Sequence, residues 1–431
     1  MNDFETQEPK QNKEEDSLSR RGFIHSAGIL GAGVGAGLLL GKDVLAGPRE
    51  QRSQSSRQVN RPSWPNQFEP LSTAPTYYPR QMPQPGEKIH EFDIELTVTL
   101  HEIIPGVQVH AFTYNGTLPG PEIRVPEDDW VLVNFTNKTS EFHTIHWHGV
   151  MLANEMDGVP LGTQWGTGMN QTFRYLFRAQ PAGTHFYHCH NMTPLHIQSG
   201  MFGALIIIPK SDIVKEVFPY EREYTLILSE IDTNYVEVTM NEMLTRMNLM
   251  QSMMESKQLM HEMNGRMMGW FYDKKSYIEA IKKGNYIPPY SKAATALQRT
   301  PQFNYFMING KSYPMTEDLT IRKGENIRVR LINAGMMVHN IHLHGHDFWH
   351  VCADGSPLAA PIRLNTIPVF PGGTADIIIQ GTNPGNWHFH DHSDVATTNN
   401  GQFPGGMMTM LLYEDARKEG VTFKDIIQVS S

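Results

Sequence analysis

The chain of 431 residues is expected to be all-β, built from two Greek-key β-sandwich domains. Two observations predict this. From about Ile89 onward, short β-branched runs (DIELTVTL, WVLVNFTN, ALIIIP, EYTLILSEI, NIRVRLINA, ADIIIQG) are punctuated by Gly, Pro and Asn. An internal repeat is the second. Asn115-Gly116 ahead of WVLVNFTN recurs as Asn309-Gly310 ahead of NIRVRLINA, and HTIHWHG recurs as HNIHLHGH, with paired histidines 196 positions apart. AGTHFYHCH likewise matches PGNWHFHDH at an offset of 202, so one unit has been duplicated.

Taken along the chain, residues 1–47 read as an export segment. Arg20-Arg21 precedes an apolar, Gly- and Ala-rich stretch from Ile24 to Gly41, and Val44-Leu45-Ala46 offers a small-residue cleavage site. That pattern resembles a twin-arginine signal, which implies a periplasmic or otherwise exported protein without a stable membrane anchor. Residues 48–85, rich in Pro, Ser, Gln and Arg, read as a disordered linker. The first sandwich is expected over 86–212, the second over 213–415, and a tail over 416–431. An insertion at 236–300 interrupts the second domain. Met240, Met243, Met247, Met250 and Met254 alternate steps of three and four there, which predicts one stripe of an amphipathic helix.

The bulk composition excludes some classes. A formal net charge of −9 leaves no basic patch for nucleic acid or an anionic membrane surface. Two cysteines, Cys189 and Cys352, make no disulfide framework; Cys352 reads as a buried strand residue and Cys189 as a metal thiolate. Cys189 lies within His188-Cys189-His190 and is followed by His196 and Met201. With His143 upstream, these are the ligand types of a blue-copper site, two His and a Cys with a weak axial Met.

Strand geometry separates the remaining histidines. Residues two apart on a strand share a face, so His146/His148, His188/His190, His342/His344 and His390/His392 make four same-face pairs. Eight imidazoles exceed what one metal can use. Cys189 and His143 lie at odd offsets from their neighbouring pairs and point the other way. Few acids stand nearby in sequence to satisfy so many buried imidazoles.

HTIHWHG, HFYHCH, HNIHLHGH and HFHDH resemble the four copper motifs of multicopper oxidases, and the likeness extends over roughly 86–415 apart from the insertion. The resemblance is to the two-domain, laccase-like members with the blue site in the first domain. HIQSGMFGALIIIP is similar to the copper nitrite reductases. The multicopper oxidase resemblance implies cupredoxin-like domains and about four coppers per chain. His143, Cys189, His196 and Met201 would hold type 1, and His146 and His342 type 2. His148, His188, His190, His344, His390 and His392 would hold the type 3 pair. Asp157 would relay protons to O2, so it is the catalytic candidate. A homotrimer with clusters at the subunit interfaces follows from the same likeness. Asp391 stands where three-domain laccases carry the blue-site cysteine, and a carboxylate cannot supply a soft thiolate bond. His339 is therefore expected to pack or hydrogen-bond.

Function follows from the ligand count. Oxygen reduction, with electrons from a phenol, Cu(I) or a small redox protein, uses all eight imidazoles. A nitrite reductase lacks counterparts of His190 and of the His342/His344 pair, and a non-catalytic copper-binding or electron-transfer protein would leave the eight idle. The Met stripe reads either as a packing helix or as a Cu(I) capture surface, since thioethers favour cuprous ions. His185, His261, His346, His350 and His388 read as ordinary polar or supporting residues.

Overall fold

The computed structural model describes residues 82–414, except 161, 162, 165, 239, 242, 243 and 245–300. The expected export segment, nearly all of the expected linker, the whole expected tail, His261 and most of the Met-rich insertion lie outside the described residues.

Eight strands form the first sandwich: β1 (Ile89–Ile104), β2 (Val107–Tyr114), β3 (Gly120–Pro126), β4 (Trp130–Asn137), β5 (His146–His148), β6 (Thr172–Arg178), β7 (Gly183–His188) and β8 (Phe202–Ile208). They make two sheets of four, ordered β2-β1-β4-β6 and β3-β8-β7-β5. In β4, Val131, Val133 and Phe135 turn into the core while Asn134 and Thr136 stay partly exposed, the period-two pattern of a half-buried strand. A six-residue helix, α1 (Thr193–Gln198), bridges β7 and β8.

Among the described residues, eleven strands form the second sandwich: β9 (Arg222–Ile231), β10 (Tyr305–Ile308), β11 (Leu319–Ile321), β12 (Asn326–Asn333), β13 (His339–Leu343), β14 (Phe348–Ala353), β15 (Ser356–Leu364), β16 (Thr366–Val369), β17 (Thr374–Gln380), β18 (Asn386–Asp391) and β19 (Met408–Tyr413). Its sheets run β10-β9-β12-β17-β14-β15 and β11-β19-β18-β13-β16. The duplication is visible in the pairing. Parallel β1/β4 and β3/β8 recur as β9/β12 and β11/β19, and antiparallel β5/β7 recurs as β13/β18. β14 to β16 have no counterpart among the described residues of the first sandwich. Asn115-Gly116 and Asn309-Gly310 both hold positive φ at each residue, which a tight hairpin turn requires and Asn-Gly tolerates. These are two mostly β-sheet domains of the kind expected for cupredoxin-like sandwiches.

The continuous apolar run of β8 is explained by what covers it. Leu205 and Ile207 enter the first core, while Phe202, Ala204 and Ile206 join Phe186 against Ile227, Ile332 and Ala334 of the second sandwich. A strand buried on both faces loses its polar alternation. Beside this apolar layer, Thr184 of β7 donates to Asp376 (2.8 Å) and accepts from Arg330 (2.7 Å), both of the second sandwich. Residues 233–238, where the insertion begins, are helical. Val236 and Met240 are buried in the same cluster as Cys189 and Met201, and Glu237 accepts from the His110 amide at 2.7 Å.

Candidate metal centres

β5 and β7 lie side by side, with His146 opposite His188 and Trp147 opposite Tyr187. Alternation sends Trp147 inward, where its ring lies 4.8 Å from Phe177, 5.5 Å from Tyr175 and 5.6 Å from Tyr187. Just past the strand ends, His143 and Cys189 take up the core side. His143 is held by a backbone bridge to Thr167, and the Cys189 amide donates to Met201 O at 3.2 Å. α1 delivers His196. Cys189 Sγ then lies 3.6 Å from His143 Nδ1 and 3.3 Å from His196 Nδ1. Phe112 packs edge-on against both imidazoles, and His143, Cys189, His196 and Met201 are all 0 % exposed.

Burial sets the protonation of this group. It pulls His196 down to about 3 and His143 well below its ordinary value, so both rings are neutral at pH 7. It pushes the Cys189 thiol up to about 12, against the pull of two backbone hydrogen bonds. The Nε2 atoms of both histidines have no hydrogen-bond partner among the described residues, leaving Nδ1 as the converging atom. Metal bonds of about 2.0–2.3 Å leave two ligands roughly 3.5 Å apart, and the observed separations match. One soft sulfur, two imidazole nitrogens and a nearby thioether fit copper.

On the opposite face, the ligand atoms of His146, His148 and His188 lie within 4.8 Å of one another. His190 is near, its ring 5.3 Å from that of His146. Burial lowers His148 to about 4 and His188 to about 3. His188 Nδ1 donates to Cys189 O (3.0 Å) and His146 Nδ1 to Asp157 O (2.7 Å), which turns each Nε2 outward. The Asp157 carboxylate reaches within 3.3 Å of the same His146 nitrogen. Phe186 stacks on His148 at 4.5 Å, a contact the sequence did not suggest.

The second sandwich carries the matching group. His342 lies opposite His390, and His344 Nε2 is 3.0 Å from His390 Nε2. The His392 ring lies 5.3 Å from that of His342. His342 Nδ1 donates to Asn365 O at 2.7 Å, and His390 Nδ1 to Asp391 O at 2.8 Å, repeating the His188–Cys189 arrangement. His344, His388 and His392 are exposed. The eight imidazoles do not all meet in one chain. Among the described residues the ring contacts fall within each set, and none joins the two.

His339, expected to pack or hydrogen-bond, is hydrogen-bonded, and its two partners, Asp391 and Glu230, were not named by the sequence reading. His339 Nδ1 lies 2.7 Å from Asp391 Oδ2 and Nε2 lies 3.0 Å from Glu230 Oε2, all three side chains being 0 % exposed. Burial opposes charge on the ring, but the hydrogen bonds of Asp391 and Glu230 outweigh it and raise His339 to about 9. Glu230 comes from 109 residues away and could not be paired with His339 by spacing. A charged residue inside the buried run LILSEI was the available signal. His346, read as supporting, bridges His344 O (3.1 Å) and the Tyr413 hydroxyl (2.7 Å). Cys352 is buried on β14, its sulfur 3.8 Å from Arg328 Nη2.

Comparison with known proteins gives a consistent picture. Multicopper oxidase family patterns match residues 96–212 and 286–414. A blue copper oxidase from Nitrosomonas europaea superposes with a TM-score of 0.59 at 35% identity, covering 76% of this chain and 87% of that one. Copper resistance protein A of Escherichia coli is 28% identical over 295 residues, 67% of this chain and 46% of its own length. The chain thus spans about half the length of the curated relatives it matches. A copper nitrite reductase from Nitrosomonas europaea shares the fold, with a TM-score of 0.53 at 20% identity, 76% of this chain and 95% of that one.

Proposed function

The chain belongs to the multicopper oxidase family, and from that premise we propose that it takes single electrons from a reducing substrate and reduces O2 to water. The observation that carries this reading is the back-to-back placement of the Cys189 site and the His146/His148/His188 group on one strand pair. Bound copper, about four ions per chain as one type 1, one type 2 and a type 3 pair, would supply the one-electron redox chemistry and the oxygen-binding centre. His143, Cys189, His196 and Met201 would hold the first ion. His146 and His342 would hold type 2, and the other six imidazoles type 3.

The residues themselves do the positioning. Cys189 is covalently continuous with His188 and His190, so one short stretch of backbone joins the electron-accepting site to the oxygen site. Asp157 fixes the His146 tautomer through its carbonyl and leaves a partly exposed carboxylate beside the ring, placed to carry protons inward. The homotrimer rests on the resemblance to two-domain relatives, and the separation of the two histidine sets supports it, since a ring of head-to-tail contacts would bring the first set of one subunit to the second set of its neighbour. The exposed His344, His388 and His392 support it. So do Val338, Phe370 (63 %) and Val395, exposed apolar side chains on segments flanking that set. Export by the twin-arginine route rests on the N-terminal pattern. Among the described residues no helix is long and apolar enough to cross a membrane.

A second reading concerns the reductant. Val236 and Met240 pack into the first-sandwich core that also holds Cys189 and Met201, and the Asp232 amide donates to Gln198 on the helix that carries His196 (3.1 Å), so the insertion begins near the electron-accepting site. That favours Cu(I) over phenols or a redox protein as donor. Metal analysis, the visible spectrum and oxygen uptake on a panel of these donors test the whole reading. About four coppers per chain with O2 consumption is expected. Two ions per chain and no uptake with any donor refutes it. Deleting 240–268 should lower Cu(I) oxidation selectively, and an unchanged rate removes the second reading.

A further inference from the structure

The second sandwich has kept the frame of a copper site and refilled it. His339 occupies the place of His143, and Asp391 that of Cys189. Both ring nitrogens of His339 face carboxylate oxygens, and an ionised carboxylate only accepts, so two carboxylates bind this ring best when it carries both protons. The two acids sit at different nitrogens of one ring, so no single ion could bond to all three groups. Each acid is also used at its second oxygen. Asp391 Oδ1 accepts from the amides of Asn340 (3.1 Å) and Ser393 (2.8 Å). Glu230 Oε1 accepts from the amides of Met337 (3.0 Å) and Met336.

What this cluster fastens is the ligand frame. β13 and β18 share only three paired positions, Ile341 with Asp391, His342 with His390 and Leu343 with Phe389. His392 lies past the end of that ladder, where its amide donates to Asn340 O at 2.7 Å. By strand alternation the side chains of His339 and Asp391 point away from the imidazole face, so the cluster grips both ligand strands from beneath. In the first sandwich the corresponding thiol and imidazoles approach one another no closer than 3.3 and 3.6 Å, gaps that a metal would have to close.

We propose that Glu230, His339 and Asp391 are positioning residues: a metal-free clasp that sets His342, His344, His390 and His392 before copper arrives, replacing the copper that fastens the first sandwich. The proposal rests on reading those four histidines as ligands. Its primary test does not, because that test is made on the metal-free full-length protein by amide hydrogen exchange. The amides of Asn340, His392 and Ser393 should be protected without copper and gain little on loading, whereas those of His143 and Cys189, bonded to Thr167 O and Met201 O beside an unclosed ligand set, should gain clear further protection on copper loading. If both sets need copper to the same degree, the clasp is refuted on the wild-type protein alone.

Two variants sharpen the test. His339→Phe should speed exchange at Asn340, His392 and Ser393 by at least about tenfold, while Glu230→Gln, which can still bridge Met337 and His339, should stay near wild type. After copper loading, the blue absorbance per chain of His339→Phe should persist, since it arises in the other domain, while the remaining copper content falls. Unchanged exchange and copper content in His339→Phe would show the cluster to be mere filling. The copper count of the wild-type protein reports separately on the ligand reading.

Discussion

Replacing Asp376 by Asn probes how the two sandwiches are held together. Asp376 is 1 % exposed and is the shared acceptor at the junction. Its Oδ2 takes Arg328 Nη2 at 2.5 Å, Arg328 Nε at 3.1 Å and Arg330 Nη1 at 3.1 Å, while the Thr184 hydroxyl of β7 donates to Oδ1 at 2.8 Å. Asparagine keeps the shape and one acceptor but removes the charge, and its NH2 group cannot replace the second carboxylate oxygen as an acceptor for the guanidinium donors. Breaking one side of a buried ion pair costs about 3–5 kcal/mol. The lower end applies here, because Arg330 retains Glu223 at 2.9 Å and Arg328 retains Asp212 at 3.4 Å. Asp376→Asn is therefore expected to lose about 3 kcal/mol in denaturant unfolding of the metal-free protein. Thr184→Val should lose about 1 kcal/mol, and because the two side chains touch, the double variant should lose less than the sum of the two. A loss below about 1 kcal/mol for Asp376→Asn would mean that water reaches these charges, and the argument for a dry ionic junction would fail.

Three further outcomes are expected. Trp147→Ala, which empties the space among Tyr175, Phe177 and Tyr187, should cost about 3–5 kcal/mol in the same assay; a value near that of a surface change would contradict the packing. The clasp makes stability pH-dependent. His339 is raised from 6.5 to about 9, so its contribution, about 3 kcal/mol, is complete below pH 6.5 and lost as pH rises through about 9. The stability difference between wild type and His339→Phe, followed from pH 6 to 10, should shrink accordingly, and a pH-independent difference would refute it. Copper uptake at the Cys189 site should strengthen with pH by about tenfold per unit, because the buried thiol, pushed up to about 12, releases one proton while His143 and His196 are already neutral. Competition against a chelator of known proton linkage measures the slope, and a slope of two would show that an imidazole also titrates.

Much of this molecule was legible in its residues. The duplicated His-x-His motifs, their constant offsets and the Asn-Gly turns announced two copies of one sandwich, because strand alternation and turn chemistry are local rules that act within a few residues. The same alternation put Cys189 and His143 on one side and His146, His148, His188 and His190 on the other, as observed. The aspartate at position 391, in the place that Cys189 holds in the first copy, was equally readable, and with it the expectation that His339 packs or hydrogen-bonds.

What the chain order concealed depends on distance. Glu230 reaches His339 across 109 residues, and Thr184 reaches Asp376 across 192, so no spacing rule could join them. Such partners are selected by desolvation: once folding removes water, a buried charge must find whatever opposite charge the packing brings near. The separation of the two imidazole sets within one chain is also a property of the packed junction, where Phe186, Phe202 and Ile206 dock on Ile227 and Ile332. Residue identity decided which groups could bind metal; tertiary packing decided which of them stand together, because only packing sets distance and dielectric.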